Sequence, residues 1–294
     1  MTNMSKTIVF FGTDTFSAHA LQSLIAADYA IGAVITKPDS RSGRGQRLTA
    51  SLVKQIAEEH GIPVWQPAKL TDIIESITAL GDTVGVLSSY GRIVPTSIIE
   101  LFNPGIINVH PSLLPLYRGP SPIETAIANG DSKTGVSIMQ LSAAMDAGPI
   151  YAQEVYSLDG TETAPELYDT LAALGGRILI NTLPQIIDGS LTPTAQPDGA
   201  TYCSLLSKDD SILDAVTMTA AQAERHVRAY IGYPKSKIAL KGYPVIVTKA
   251  HVVNEQTAEQ EIAFSDGDFL AIDELIGPSG RKMSGEAFLN GHKL

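Results

Sequence analysis

The first half of the chain alternates short apolar runs with stretches whose apolar residues recur at helical spacing. Apolar runs without polar alternation are typical of parallel strands that are buried on both faces. A strand–helix–strand order of this kind predicts an α/β domain with a parallel-rich sheet and helices on both faces. The runs that predict strands are residues 6–12, 29–36, 62–65, 83–88 and 105–107.

The remainder of the chain has a different pattern. A long helical pattern at 163–187, with a weak point at Gly175 and Gly176, leads into a turn-rich segment at 188–199 that predicts a linker. Because 294 residues exceed what one compact core usually holds, two domains are expected. The later β-like runs are split by Gly or polar turns and indicate a small β-barrel. They are residues 237–240, 244–253, 261–264 and 269–275.

Composition narrows the class of protein. The single cysteine, Cys203, excludes an internal disulfide and favours a reducing cytoplasm, where a buried thiol is the expected state. No segment has the roughly 20 apolar residues that a membrane span needs. The six histidines form no close pair, so no metal site is expected.

The segment 37–49 is polar, basic and broken by Pro and Gly, which predicts an exposed, flexible loop.

Two basic stretches stand out in a chain whose formal net charge is −10. Between Arg225 and His251 there are six Lys and Arg residues and no Asp or Glu. A second stretch carries Arg41, Arg44 and Arg47. Local basic patches on an acidic protein are consistent with a directed contact to a polyanion. The alternative is a solvated face whose cations pair with acids elsewhere, and the pattern alone leaves both readings open.

The stretch from Asn108 to Gly148 carries the candidate chemistry. Asn108, His110 and Asp146 are each predicted at or just past a strand end, where ligands gather in open α/β sheets. The loop 111–122 holds several Pro and Gly residues, and a loop stiffened in this way suits holding a ligand. The alternative is that Asn108 and His110 are satisfied polar groups and that Asp146 is a turn residue.

These residues also match a known pattern. The Asn108-Val109-His110 triplet, the SLLPxYRGxxP loop that starts at Ser112, and Asp146-Ala147-Gly148 resemble the folate-dependent formyltransferases. The resemblance covers nearly the whole chain. It implies a Rossmann-like formyltransferase domain at 1–188, a linker at 189–207 and a C-terminal OB-like tRNA-docking domain at 208–294. Leu213-Asp214-Ala215 departs from the family pattern, so packing there is expected to differ.

The resemblance implies roles for particular residues. The co-substrate is expected to be 10-formyltetrahydrofolate, with no metal and no nicotinamide. Asn108 and His110 would donate hydrogen bonds to the formyl oxygen, which gains negative charge when the amine attacks. Asp146 would orient His110 and, through water, help remove the proton of the attacking amine. Extended backbone in the folate loop would leave N–H and C=O groups free for the pterin. The folate-binding residues implied are Ser112, Leu113, Leu114, Pro115, Tyr90 and Gly91, while Arg118 has either a ligand role or a local one.

A basic loop distinguishes the tRNA-specific members of the family. Ser42-Gly43-Arg44-Gly45 resembles their inserted Gly-Arg-Gly loop, and Leu206-Ser207-Lys208 matches the opening of their second domain. This implies transfer of a formyl group to the amino group carried by a charged initiator tRNA. The chain would be a cytoplasmic monomer without a membrane partner. The tRNA-binding residues implied are Arg41, Arg44, Arg47 and Lys208.

Three alternatives remain at this point. A sugar-nucleotide N-formyltransferase would share Asn108, His110, Asp146 and the folate loop, but it would not need the basic loop. A glycinamide ribonucleotide formyltransferase would need no second domain. A non-catalytic folate- or RNA-binding protein would have no use for all three polar residues.

Overall fold

The computed structural model describes residues 6–42 and 47–292, with residues 41, 42 and 47 described by backbone alone. Clustering of contacts divides the chain into two compact units. Unit 1 comprises Met1–Pro120, Gly135–Tyr156 and Tyr168–Tyr202, and unit 2 comprises Ser121–Thr134, Ser157–Leu167 and Cys203–Leu294. The predicted domain boundaries at 188 and 208 stay a prediction.

Strands and helices mostly alternate in the described part of the first 187 residues. They are β1 (Thr7–Gly12), α1 (Thr15–Ala26), β2 (Ile31–Ile35), β3 (Ser40–Ser42), β4 (Arg47–Thr49), α2 (Leu52–Glu59), β5 (Val64–Trp65), α3 (Ile74–Ala79), β6 (Thr83–Ser88), α4 (Thr96–Ile99), β7 (Ile106–His110), α5 (Pro122–Asn129), β8 (Lys133–Gln140), β9 (Ile150–Ser157) and α6 (Ala164–Ile187). A 3₁₀ turn at Leu70–Ile73 leads into α3.

A seven-stranded sheet with the order β5-β2-β1-β6-β7-β8-β9 forms the first layer. From β5 to β7 the neighbouring strands pair in parallel. Every residue of β6 and β7 is buried, which is why apolar runs mark the middle of β6 and the start of β7 in the sequence. β8 pairs antiparallel with β7, so the sheet is not parallel at this edge, and among the described residues no helix separates β8 from β9. The predicted α/β class with a parallel-rich sheet is confirmed.

Two local expectations differ from the structure. The segment 37–49 was expected to be a loop, but β3 and β4 pair antiparallel within it, with Ser40 opposite Thr49. The glycine pair in α6 does not interrupt the helix. A Cβ at Gly175 would lie 2.8 Å from Val109 Cγ1, so the absence of a side chain lets α6 approach β7 closely. These glycines therefore serve packing and not a helix break.

Unit 2 contains an antiparallel sheet with a helix packed against it. Its elements are α7 (Ala220–Ala229), β10 (Ser236–Leu240), β11 (Tyr243–Val253), β12 (Glu261–Ala263), β13 (Phe269–Ile276), β14 (Lys282–Ser284) and α8 (Gly285–Gly291). The sheet order is β10-β11-β13-β12, and a fifth strand, β14, pairs with β13. Side chains from α7, the sheet and α8 share one apolar core. The predicted small β-rich domain is confirmed as an antiparallel half-barrel, although β14 and α8 were not predicted.

The segment after α6 is tied down by hydrogen bonds within unit 1. Thr194 and Ile150 exchange both backbone hydrogen bonds at 2.8 Å, and Thr201 bonds to the loop that follows β7. We call residues 194–202 the strap. Its polar, turn-rich composition predicted a linker, but its backbone groups pair with other loops.

In the part of the chain that the structure describes, no helix is long and apolar enough to cross a membrane.

Candidate active site

The carboxyl ends of β1, β6 and β7 meet at one edge of the sheet because these strands run parallel. Two hydrogen bonds lock the turns that follow β1 and β6. Thr13 Oγ1 donates to the Tyr90 carbonyl at 3.0 Å, and Ser17 Oγ donates to the Ser88 carbonyl at 2.6 Å. This edge therefore has a fixed backbone on which side chains can be placed.

Asn108 and His110 project from this edge on the same face of β7, since side chains alternate along a strand. Both are buried, with 5% of each residue exposed. Polar groups at this depth need hydrogen-bond partners within the protein or a ligand. The partners they have define the geometry of the site.

Asp146 lies beside both residues. Asn108 Nδ2 donates to Asp146 Oδ1 at 3.4 Å, and His110 Nδ1 is 3.8 Å from Asp146 Oδ2. The Gly119 backbone N–H donates to the same Oδ2 atom at 2.8 Å. The backbone of Asp146 has a φ of 45°, a left-handed conformation that Asp tolerates better than most residues. The structure thus brings together the three side chains that the sequence predicts.

His110 is held by its other ring nitrogen. Nε2 lies 3.0 Å from the Tyr117 carbonyl, which can only accept, so Nε2 carries a proton. In the neutral ring Nδ1 would then direct its lone pair at the Asp146 carboxylate, whereas a proton on Nδ1 makes the contact attractive. At 3.8 Å that contact is longer than a hydrogen bond, so Nδ1 also has room for a partner on a bound ligand.

The predicted folate loop is engaged within the protein. Ser137 Oγ accepts from the Leu114 N–H at 3.1 Å and donates to the Ser112 carbonyl at 2.6 Å. Gln153 Nε2 donates to the Leu114 carbonyl at 2.8 Å, and Thr201 N–H donates to the Pro115 carbonyl at 3.2 Å. The expectation that these backbone groups are free for a pterin is therefore wrong. The loop is not an open extended segment, because β8, β9 and the strap satisfy its polar atoms.

Tyr90 and Gly91 differ in what they could offer a ligand. The Tyr90 ring is buried and packs edge-on against Phe11 with centroids 5.7 Å apart. Burial raises the pKa of its hydroxyl. Gly91 has a φ of 68°, and a Cβ there would collide with the Lys37 ammonium. A ligand at this edge would therefore meet backbone here, since the Tyr90 ring belongs to the core.

Sequence reasoning missed the groups that hold the predicted trio. The Tyr117 carbonyl, the Gly119 N–H and the Gln196 side chain all contact His110 or Asp146. Arg118 bonds to Gln196 and Tyr202, which supports the local role over the ligand role. An Arg in such a loop often pairs with a nearby group, so a local role for Arg118 could be considered from the sequence. The sequence around Arg118 does not identify Gln196 as its partner.

The predicted tRNA-binding residues are placed only in part. Arg44 lies outside the described residues, as do the side chains of Arg41 and Arg47. Lys208 is exposed and precedes the 3₁₀ turn Asp209–Ser211.

The basic run from Arg225 to His251 is partly neutralised within unit 2. Arg228 Nε is 2.7 Å from Glu224 Oε1, and Lys241 Nζ is 3.2 Å from Glu259 Oε2. The alternative reading, in which cations pair with acids elsewhere, holds for these two residues.

Among residues 6–42 and 47–292, no group of three or more His, Cys, Asp or Glu side chains is placed to hold a metal ion.

Comparison with known proteins identifies the family. A family model described as "Formyl transferase" matches residues 5–183, and one described as "Formyl transferase, C-terminal domain" matches residues 205–293. The chain belongs to the formyl transferase family. The predicted family, and with it an enzyme of formyl transfer, is confirmed.

Relatives of this formyl transferase align over nearly its whole length. The methionyl-tRNA formyltransferase of Halorhodospira halophila is 38% identical, and the alignment covers 99% of this chain and 98% of that one. The methionyl-tRNA formyltransferase of Chloroflexus aurantiacus is also 38% identical, with 97% and 96% covered. A solved Helicobacter canadensis N-formyltransferase, in complex with folinic acid and dTDP-3-aminofucose, superposes with a TM-score of 0.69. It is 21% identical and covers 91% of this chain and 98% of its own, which shows a shared fold.

Ser137→Ala tests how far the folate loop depends on β8. Ser137 is fully buried, and its loss would leave the Leu114 N–H and the Ser112 carbonyl without this partner. We expect the free energy of unfolding to fall by about 1–3 kcal/mol, the cost of leaving a buried polar group unsatisfied. Urea unfolding followed by circular dichroism measures this. The matched control is Ser190→Ala at an exposed position, and equal stability of the two variants would contradict the expectation.

Proposed function

We propose that this formyl transferase moves the formyl group of 10-formyltetrahydrofolate to the free amino group of methionyl-tRNA. The product is the N-formylmethionyl-tRNA that serves translation initiation. The observation that carries the reaction is the meeting of Asn108, His110 and Asp146 at the sheet edge. The substrate is supported by full-length likeness to methionyl-tRNA formyltransferases across both matched domains.

The geometry supports stabilisation of the oxygen that gains charge when the amine attacks the formyl carbon. One Asn108 N–H points toward Asp146, and the second amide hydrogen is available for that oxygen. His110 Nδ1–H supplies a second donor, because its contact with Asp146 is too long to hold it. Donors fixed in advance by the protein do not need to reorganise during the reaction.

The proton of the attacking amine needs an acceptor. As the new C–N bond forms and the bond to the folate nitrogen breaks, the amine loses one proton and the folate nitrogen gains one. The Asp146 carboxylate keeps 16% of its side chain exposed, so water can reach it. Asp146 therefore serves as the proton acceptor through water, and its carboxylate lies beside His110.

The folate pocket is proposed to be formed by Ser112 to Pro115 together with Tyr90 and Gly91. Because the backbone of this loop is bonded internally, its role is to present a fixed surface to the co-substrate. The exposed Lys208 and the arginines Arg41, Arg44 and Arg47 are proposed to contact the tRNA. We also propose that the enzyme acts as a cytoplasmic monomer. Light scattering of the purified protein tests the oligomeric state.

A panel of formyl acceptors separates this function from its alternatives. Single-turnover transfer is measured with 10-formyltetrahydrofolate and charged initiator tRNA, with uncharged tRNA and an amino-sugar nucleotide as controls. We expect formylation of the charged tRNA alone. Transfer to the amino sugar instead would keep the catalytic trio but overturn the substrate. Binding of folate without transfer to any acceptor would make the protein a binding protein.

Asn108→Ala and His110→Ala test the roles of the donors. Loss of one preorganised donor typically lowers the rate by about 10²- to 10³-fold, and we expect at least that fall in kcat for each variant. Asn181→Ala and His60→Ala make the same changes at exposed positions and should retain the wild-type rate. A near wild-type rate for Asn108→Ala or His110→Ala, with the fold intact, would sink the assignment.

Arg44→Ala tests the basic loop. A hydrogen bond to a charged group contributes about 1.5 kcal/mol, so the KM for charged tRNA should rise about tenfold. The KM for folate should stay the same, and the dependence of the tRNA KM on salt should weaken. Arg177→Ala removes an exposed arginine that pairs with Glu154 and is the control. Unchanged tRNA kinetics in Arg44→Ala would count against the docking role.

A further inference from the structure

We propose that Gln196, held by Arg118, is a positioning residue that fixes Asp146 against His110 and so sets the rate of the chemical step. This inference rests on the proposed formyl transfer. Gln196 contributes no atom to the reaction itself. It acts on Asp146 from the strap, a segment whose composition predicts a linker.

All four hydrogen-bonding positions of the Gln196 amide are used. Nε2 donates to the Asp146 carbonyl at 2.7 Å and to the Gly148 carbonyl at 2.8 Å. Oε1 accepts from Arg118 Nη2 at 2.7 Å and from Arg118 Nε at 3.0 Å. A side-chain amide has two N–H donors and two acceptor lone pairs, so this set is complete. Gln196 is thereby held in one orientation.

The turn at Asp146 to Gly148, to which Gln196 donates its hydrogen bonds, has a strained backbone. Asp146 sits at a φ of 45°, which costs free energy for a residue with a side chain. Gly148 is pressed so closely on β8 that a Cβ would collide with the Gln140 carbonyl. The two hydrogen bonds from Gln196 lie on either side of Ala147, and they hold the carbonyls that flank it. Without them the left-handed turn at Asp146 can relax, and the carboxylate would move with it.

Arg118 connects Gln196 to the loop that holds His110. Its two chain neighbours supply the Tyr117 carbonyl, which bonds His110 Nε2, and the Gly119 N–H, which bonds Asp146 Oδ2. The Arg118 N–H donates to the Thr201 carbonyl at 2.9 Å, and Thr201 Oγ1 accepts from the Tyr117 N–H at 2.9 Å. One short piece of loop therefore places both members of the His110–Asp146 pair, and the strap holds that loop in place.

A positioning role and a merely structural role predict different kinetics. A displacement of about 1 Å at a reacting group can lower the rate on the order of 10²-fold without changing substrate binding. A loss of general stability would instead lower the amount of folded enzyme or raise both KM values. The readout is therefore kcat set against KM, in enzyme shown to be folded by circular dichroism and thermal unfolding.

The experiment uses Gln196→Ala and Gln196→Glu in the full-length protein, with Gln185→Ala as a matched control at an exposed position. For both Gln196 variants we expect kcat to fall on the order of 10²-fold, with each KM within about twofold of wild type. Gln196→Glu keeps acceptor oxygens for Arg118 but cannot donate to two carbonyls, so it should not rescue kcat. If the Ala variant does not fold, Gln196→Glu and Arg118→Ala carry the test.

A double-mutant cycle with Arg118→Ala checks that the two side chains act as one unit. The combined loss in kcat should be no greater than the larger single loss, since both changes release the same turn. Wild-type kcat in Gln196→Glu, losses that multiply, or a rise in KM alone would overturn the inference. Absence of transfer in the wild-type enzyme would instead overturn the proposed function, so the two failures are distinguishable.

Discussion

The hydrogen bond from the Gly119 N–H to the Asp146 carboxylate joins the two loops that carry the active site. A partly buried carboxylate is stabilised by hydrogen-bond donors, and a backbone N–H is a donor that no side-chain rotation can remove. The bond fixes where negative charge sits beside His110. Once that charge is fixed, the direction of the Asn108 amide follows from it, because Asn108 Nδ2 donates to the same carboxylate.

Much of the fold could be predicted because its causes are local. The buried strand β6 reads as a largely apolar run, and β7 begins with one at Ile106 and Ile107. Asn108 and His110 could be predicted because they end β7, a strand that pairs in parallel with β6. Asp146 follows β8, which runs antiparallel to β7, so the rule for parallel strand ends does not account for its position. The family resemblance then assigned roles that the spacing alone left open.

Other features could not be predicted because they depend on partners far away in the chain. Gln196 sits among Thr, Pro and Gly residues, and its function becomes visible only when the backbone of Asp146, 50 residues earlier, lies beside it. Gly175 looked like a helix weakness because the local pattern cannot show that Val109 fills the space of its missing side chain. The antiparallel direction of β8 likewise depends on how the loop after β7 returns, which composition does not specify.

The strap changes where the catalytic part of this protein ends. Composition suggests that the first domain closes near residue 188, but Gln196 and Thr201 lie beyond that point and bond to Asp146 and to the loop after β7. A fragment cut at residue 188 would keep every residue of the seven-stranded sheet and lose the Gln196 hydrogen bonds to the Asp146 and Gly148 carbonyls. Exchanges of the C-terminal domain between relatives therefore need their junction after Tyr202, so that each sheet keeps the strap with which it evolved.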